Sequence, residues 1–172
     1  AQQGVGTHPH RGFETVTIAY QGEVTHKDSS GGGGTIKAGD VQWMTAGGGV
    51  LHQEFHSPEF AHQGGLFEMV QLWVNLPAHS KMTPAKYQAI EATDIQSIHL
   101  DDVGSELRVI AGQYQETIGA ATTFSPVNVW DGKIVAGQAH TFYVTEGHTT
   151  LLVLLSGEVI LNDAQHIAAP SL

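Results

Sequence analysis

The sequence predicts an all-β protein, and three observations carry that prediction. Short segments with a period of two recur along the chain, as from Glu14 to Tyr20, where Val16, Ile18 and Tyr20 share one face and Thr15 and Thr17 the other. Turn residues punctuate these segments at close intervals, among them Gly22, Lys37-Ala38-Gly39-Asp40 and Gly47-Gly48-Gly49. Almost no stretch carries helical periodicity. Strands spaced in this way indicate an antiparallel barrel or sandwich.

Composition narrows the function. The chain has 172 residues, enough for one sizeable core or two small ones, and 41% of them are hydrophobic. Seven Lys and Arg against 17 Asp and Glu leave a formal net charge of −10, which argues against direct binding to nucleic acid or to an anionic membrane. The absence of cysteine excludes disulfides, thiolate-held zinc and a Cys nucleophile, and fits a reducing compartment. No run approaches the roughly 18 apolar residues of a membrane helix. A cytoplasmic location is expected, or a nuclear one if the source is eukaryotic.

Taken in order, the first element is the run His8-Pro9-His10. Side chains two apart on a strand share a face, so these imidazoles can chelate one ion. A strand continuing without a bulge through Glu14 to Tyr20 puts His8, His10 and Glu14 on the inward face of Val16 and Ile18. Gly22 turns the chain and Glu23 to His26 starts a return strand. The loop from Ser29 to Gly34 holds four consecutive glycines. A phosphate cradle would need a following Lys-Ser/Thr or helix start, and neither is there, so the loop reads as a flexible hairpin tip.

Val41 to Thr45 is the next strand. Gly47 to Gly49 then let the backbone approach closely before Val50, His52 and Glu54, which share a face. His52 and Glu54 are thus a second pair of potential ligands, and two such strands facing each other make a metal site. From Leu66 to Leu76, Val70, Leu72, Val74 and Leu76 form an apolar face, with Gln71, Trp73 and Asn75 opposite. Pro77 to about Thr93, with a second proline at Pro84, reads as a surface connector. Beyond it, Ser105 to Ala111 and Gly119 to Phe124 resume strand character, and Asn128 to Val135 reads as a hairpin turned at Asp131-Gly132.

Two domains are therefore expected, residues 1–92 with the connector and residues 93–172. An internal repeat supports them: Glu14 to Val24 aligns with Thr149 to Val159, Gly22 falling on Gly157. His8, His10 and Glu14 then fall on Tyr143, Thr145 and Thr149, so the second copy lacks those ligands and is expected to be metal-free. The counterpart of His52 would lie beyond Leu172, and few residues precede His8. The chain is expected to be a fragment whose second barrel is incomplete, with exposed strand edges.

Four stretches carry a family resemblance: His8-Pro-His-Arg-Gly-Phe-Glu-Thr-Val-Thr, Gly39-Asp-Val-Gln-Trp-Met-Thr-Ala-Gly, Gly49-Val-Leu-His-Gln-Glu and Gln71-Leu-Trp-Val-Asn-Leu-Pro. Together they resemble the N-terminal half of the pirins, bicupins of the cupin superfamily, closely to about Tyr87 and more weakly to the end. The resemblance implies two tandem cupin barrels (double-stranded β-helix or jelly-roll). It also implies a metal held by His8, His10, His52 and Glu54. In most other cupins the glutamate after the first motif is a ligand, which here would be Glu14, and the pirin pattern ranks it below Glu54. Two positions depart from the family: Ala38 stands where a proline is usual, and Gly48 where an arginine is frequent.

Three neutral imidazoles and a carboxylate suit Fe(II), with Mn, Co, Ni, Cu or Zn as competitors. The resemblance further implies a dioxygenase that opens the heterocyclic ring of quercetin-like flavonols with O2, with Glu54 a candidate catalytic base. The partners would then be a small phenolic substrate and O2. A second implied role is a redox-sensing iron protein acting as a transcription cofactor through protein contacts. The other histidines read as surface or core residues, with His56 and His62 as neighbours that could support the ligands. Trp43, Trp73, Phe13 and Met44 read as core or pocket wall.

Overall fold

The computed structural model describes residues 3–170. The chain forms two compact units that divide between Gln138 and Ala139. The first holds strands β1 (Gly4–His10), β2 (Phe13–Gln21), β3 (Glu23–Asp28), β4 (Gly33–Lys37), β5 (Val41–Thr45) and β6 (Val50–His56). A six-residue helix α1 (Pro58–Gln63) follows, then β7 (Glu68–Asn75), β8 (Lys86–Ile90), β9 (Ser97–His99), β10 (Glu106–Ala111), β11 (Gln113–Tyr114), β12 (Thr117–Ile118) and β13 (Val129–Lys133). The second has one hairpin, β14 (Glu158–Leu161) with β15 (Gln165–Ala168). The architecture is all-β, as the alternation predicts.

Two four-stranded antiparallel sheets build the site, in the orders β1-β6-β3-β4 and β7-β2-β5-β8. Strand β2 is buried along nearly all its length. Its two faces meet different neighbours. Val16 and Ile18 pair across the sheet with Trp43 and Val41 on one side and with Leu72 and Val70 on the other. This apolar face packs with Ile95, Ile110, Ala111 and Val129 into one core. Residue 92, where the sequence places a domain boundary, thus lies inside the first unit. Tyr20 donates to Asp131 at 3.2 Å and Arg108 pairs with Asp131 at 3.2 Å, tying the later strands to the same sheet.

Several expectations change here. The histidine strand does not run on into β2: at Arg11 and Gly12 the chain passes from one sheet to the other, Gly12 taking a φ of +77° that a side chain resists. The imidazoles therefore do not share the face of Val16 and Ile18. The expected connector contains strand β8, paired with β5 from Val41↔Ile90 to Thr45↔Lys86. Its half-exposed position as a sheet edge hides the apolar period. Asp131-Gly132 is not a turn but part of β13, where Arg108 and Leu107 oppose the two residues. The ion pair to Arg108 holds Asp131 in the strand. Of the repeat's second copy, only the part from Glu158 onward forms a strand of the β14–β15 hairpin.

Candidate metal centre

The second face of β2 carries Thr15 and Thr17, both buried, and their cross-strand neighbours Met44, Gln42 and Gln71. Against it stands the sheet of β1, β6 and β3. In that sheet β6 is central: His52 pairs with His8 on one side and Asp28 on the other, and Glu54 pairs with His26. A cross-strand pair shares a face, so two histidine strands and a third place their polar residues together. His10, His26, Asp28, His52 and Glu54 are all buried, and His8 is half-buried.

The four residues expected as ligands are neighbours. The His8 ring lies 4.6 Å from His10 and 5.6 Å from His52 between centroids, and His10 lies 5.7 Å from His52. The Nε2 atoms of His8 and His10 are 2.8 Å apart, and His52 Nε2 is 3.4 Å from Glu54 Oε1. The Nδ1 of His8 sits 2.7 Å from the Gly6 carbonyl, to which only its N–H form can bond. That leaves the His8 Nε2 lone pair turned to the cluster. The donors meet in pairs rather than about one point: among the described residues no three His, Asp or Glu side chains stand ready around a single centre. The buried Nε2 of His52 nonetheless has no hydrogen-bond partner, which is the state of a donor atom kept for something else.

Charge follows from this packing. Burial, then the neighbouring His8 and His52, lower the pKa of His10 to about 4. Burial and then His52 lower His26 to about 4 as well, against the pull of Glu54 and Asp28. Both imidazoles are neutral at pH 7, as metal binding requires. Burial alone would raise the Glu54 carboxyl, but the neighbouring His52 and the amide of Gln71 outweigh it and hold it low. Gln71 Nε2 is 3.2 Å from both Glu54 oxygens and 3.2 Å from Thr17 Oγ1, while its Oε1 accepts from Trp73 Nε1 at 3.2 Å.

Glu14 lies on the apolar face, opposite Thr45, whose hydroxyl donates to it at 2.7 Å. His56 packs against Phe60 and Phe67, at 5.1 and 4.6 Å between rings, and His62 is exposed on α1. Neither supports the cluster. His26, read from sequence as an ordinary histidine, does: its ring lies 6.1 Å from His52 and stacks on Tyr87 at 5.2 Å. Its signal was parity with Val24 and Asp28 on β3, whose buried residues alternate. Trp43 and Met44 are core, whereas Trp73 is 67% exposed and lies 4.8 Å from Phe13 and 5.8 Å from His10.

Two facing antiparallel sheets with a His and Glu cluster between them define a cupin. Residues 1–74 match the family model named Pirin. Over 162 residues the chain is 54% identical to a Pseudomonas aeruginosa protein provisionally named quercetin 2,3-dioxygenase, covering 94% of this chain and 57% of that one. It is 41% identical over 155 residues to Pirin-1 of Arabidopsis thaliana, covering 90% and 51%. A crystal structure described as quercetin 2,3-dioxygenase from Acinetobacter baumannii matches with a TM-score of 0.96 at 76% identity, over 99% of this chain and 59% of that one. The chain belongs to the pirin family, and it spans about half the length of the curated relatives it matches.

Proposed function

We propose that this chain carries the metal centre of a dioxygenase that opens the heterocyclic ring of quercetin-type flavonols with O2. The buried, unpartnered Nε2 of His52, beside Glu54 and two further imidazoles, is the observation that carries this reading. His8, His10, His52 and Glu54 would hold one divalent ion. Three imidazoles and a carboxylate without thiolate suit Fe(II), with Mn, Co, Ni, Cu and Zn as competitors, and the ion supplies redox and Lewis-acid chemistry for O2 and a phenolic substrate. The names of the P. aeruginosa and A. baumannii relatives support the same substrate class.

The chain's own residues prepare the reaction. Gly6 orients His8 and Gln71 keeps Glu54 charged. The exposed indole of Trp73 with Phe13 offers a flat apolar wall beside His10, suited to a planar phenolic ring. Glu54 is also the assigned acceptor of the substrate's hydroxyl proton; its depressed pKa makes it a weak base, and a Glu54→Gln chain with full turnover would end that assignment.

The test is the loss of quercetin absorbance under air by the metal-stripped chain reloaded with Fe(II), then with other divalent ions, with His52→Ala as control. Turnover that needs the metal and disappears in His52→Ala is expected. No turnover by a chain shown to hold metal would overturn the enzymatic reading and leave a regulatory iron protein in its place.

A further inference from the structure

The tetraglycine loop is not spent on flexibility. A Cβ on Gly32 would meet Asp28 Oδ2 at 2.3 Å and the Tyr87 ring at 2.6 Å, so only glycine lets the loop close over these two side chains. The loop also holds the Asp28 carboxylate, through Ser30 Oγ at 2.6 Å and the Gly32 amide at 3.3 Å. Asp28 is buried, and its Oδ2 has no hydrogen-bond partner. The Tyr87 hydroxyl lies 2.9 Å from Met44 Sδ and 3.4 Å from His52 Nδ1.

The direction of these bonds follows from chemistry. The Met44 thioether can only accept, and at 2.9 Å it is the nearer partner, so the phenol proton goes to Met44 Sδ. The Tyr87 oxygen can then only accept, and the donor facing it is His52 Nδ1–H. The reverse arrangement would put the proton on His52 Nε2, facing Glu54 Oε1 at 3.4 Å, and take from an ion the lone pair it needs. We propose that Tyr87, set by Met44 and Gly32, is a positioning residue of the metal centre: it fixes His52 as the Nδ1–H tautomer and turns the Nε2 lone pair to the ion. This rests on His52 being a ligand, as proposed above. It gives the glycine loop and strand β8 a part in supporting that site.

Tyr87→Phe keeps the ring that stacks on His26 and removes only the hydroxyl. Anaerobic calorimetry with Fe(II) should show affinity lowered by about 10–100-fold, the usual effect of losing such a support. Gly32→Ala, which keeps the Tyr87 hydroxyl but displaces its ring, should weaken binding in the same direction. Nitrogen-detected NMR of the metal-free chain should find His52 as the Nδ1–H form in the wild type and shifted toward Nε2–H in Tyr87→Phe, with an unchanged melting midpoint. Equal Fe(II) affinity and an unchanged His52 tautomer in Tyr87→Phe would overturn the positioning role. A wild type that binds no Fe(II) would instead overturn the metal reading beneath it.

Discussion

The sheet β7-β2-β5-β8 presents two faces, both buried at β2 and β5, and they are built by opposite rules. On one, Val16, Ile18, Val41 and Trp43 pack with Ile110 and Val129, and Glu14 takes its hydrogen bond from Thr45 on the same face. On the other, Gln71 donates to both Thr17 and the Glu54 carboxylate, and Tyr87, bonded to Met44, stands beside His52. Residues one apart along β2 therefore serve different ends. The first face makes the fold cohere, while the second leaves buried polar atoms such as His52 Nε2 and Gln42 Nε2 without partners. Unsatisfied polar groups cost stability, and the apolar face carries such a cost as well at Trp43 Nε1, so what sets the second face apart is the His and Glu cluster it meets.

The comparison breaks most visibly through the apolar face. Trp43→Ala removes a fully buried indole and should lower stability by about 3–5 kcal/mol in urea unfolding, whatever ions are present. Stability that instead depended only on added metal would erase the distinction between the faces.

Acid probes the polar face. His10 is faced by His8, His52 and Glu54, and His26 by His52, Glu54 and Asp28; both titrate near 4 when folded and near 6.5 when unfolded. Between these values the unfolded chain holds more protons, so stability is whole above about 6.5 and falls as the pH drops toward 4. The melting midpoint of the metal-free chain should follow that window, and His26→Phe should flatten it. Glu54 and Asp28, held low by their partners, add their own loss only further into acid.

Smaller changes sharpen the contrast. Thr45→Ala removes the hydroxyl that Glu14 accepts on the apolar face, at a cost of about 1–3 kcal/mol, with Fe(II) affinity unchanged. Tyr20→Phe, which loses the bond to Asp131, should cost about 1 kcal/mol and likewise leave metal binding alone.

That His8 lies beside His10 and His52 beside Glu54 was legible in the sequence because strand geometry couples residues two apart. The two-faced sheet was legible only in part. Period-two alternation separates Val70 and Leu72 from Gln71 and Trp73, but it cannot tell a polar face that meets water from one that meets a buried carboxylate. A lone histidine such as His26 gives no spacing to read, and Tyr87 lay in a stretch with two prolines nearby and no apolar period. The glycine loop misled for a related reason: glycine in sequence signals freedom or closeness alike, and only Asp28 and Tyr87 beneath Gly32 decide for closeness. Parity counted across Gly12 failed because one positive φ moves the chain to another sheet.

The most direct measurement sets the two glutamates against each other. Anaerobic calorimetry of Fe(II) with the wild type, Glu54→Gln and Glu14→Gln compares a carboxylate from each face. One ion per chain is expected for the wild type and for Glu14→Gln, with affinity weakened by at least about tenfold in Glu54→Gln. Binding lost in Glu14→Gln and kept in Glu54→Gln would contradict it.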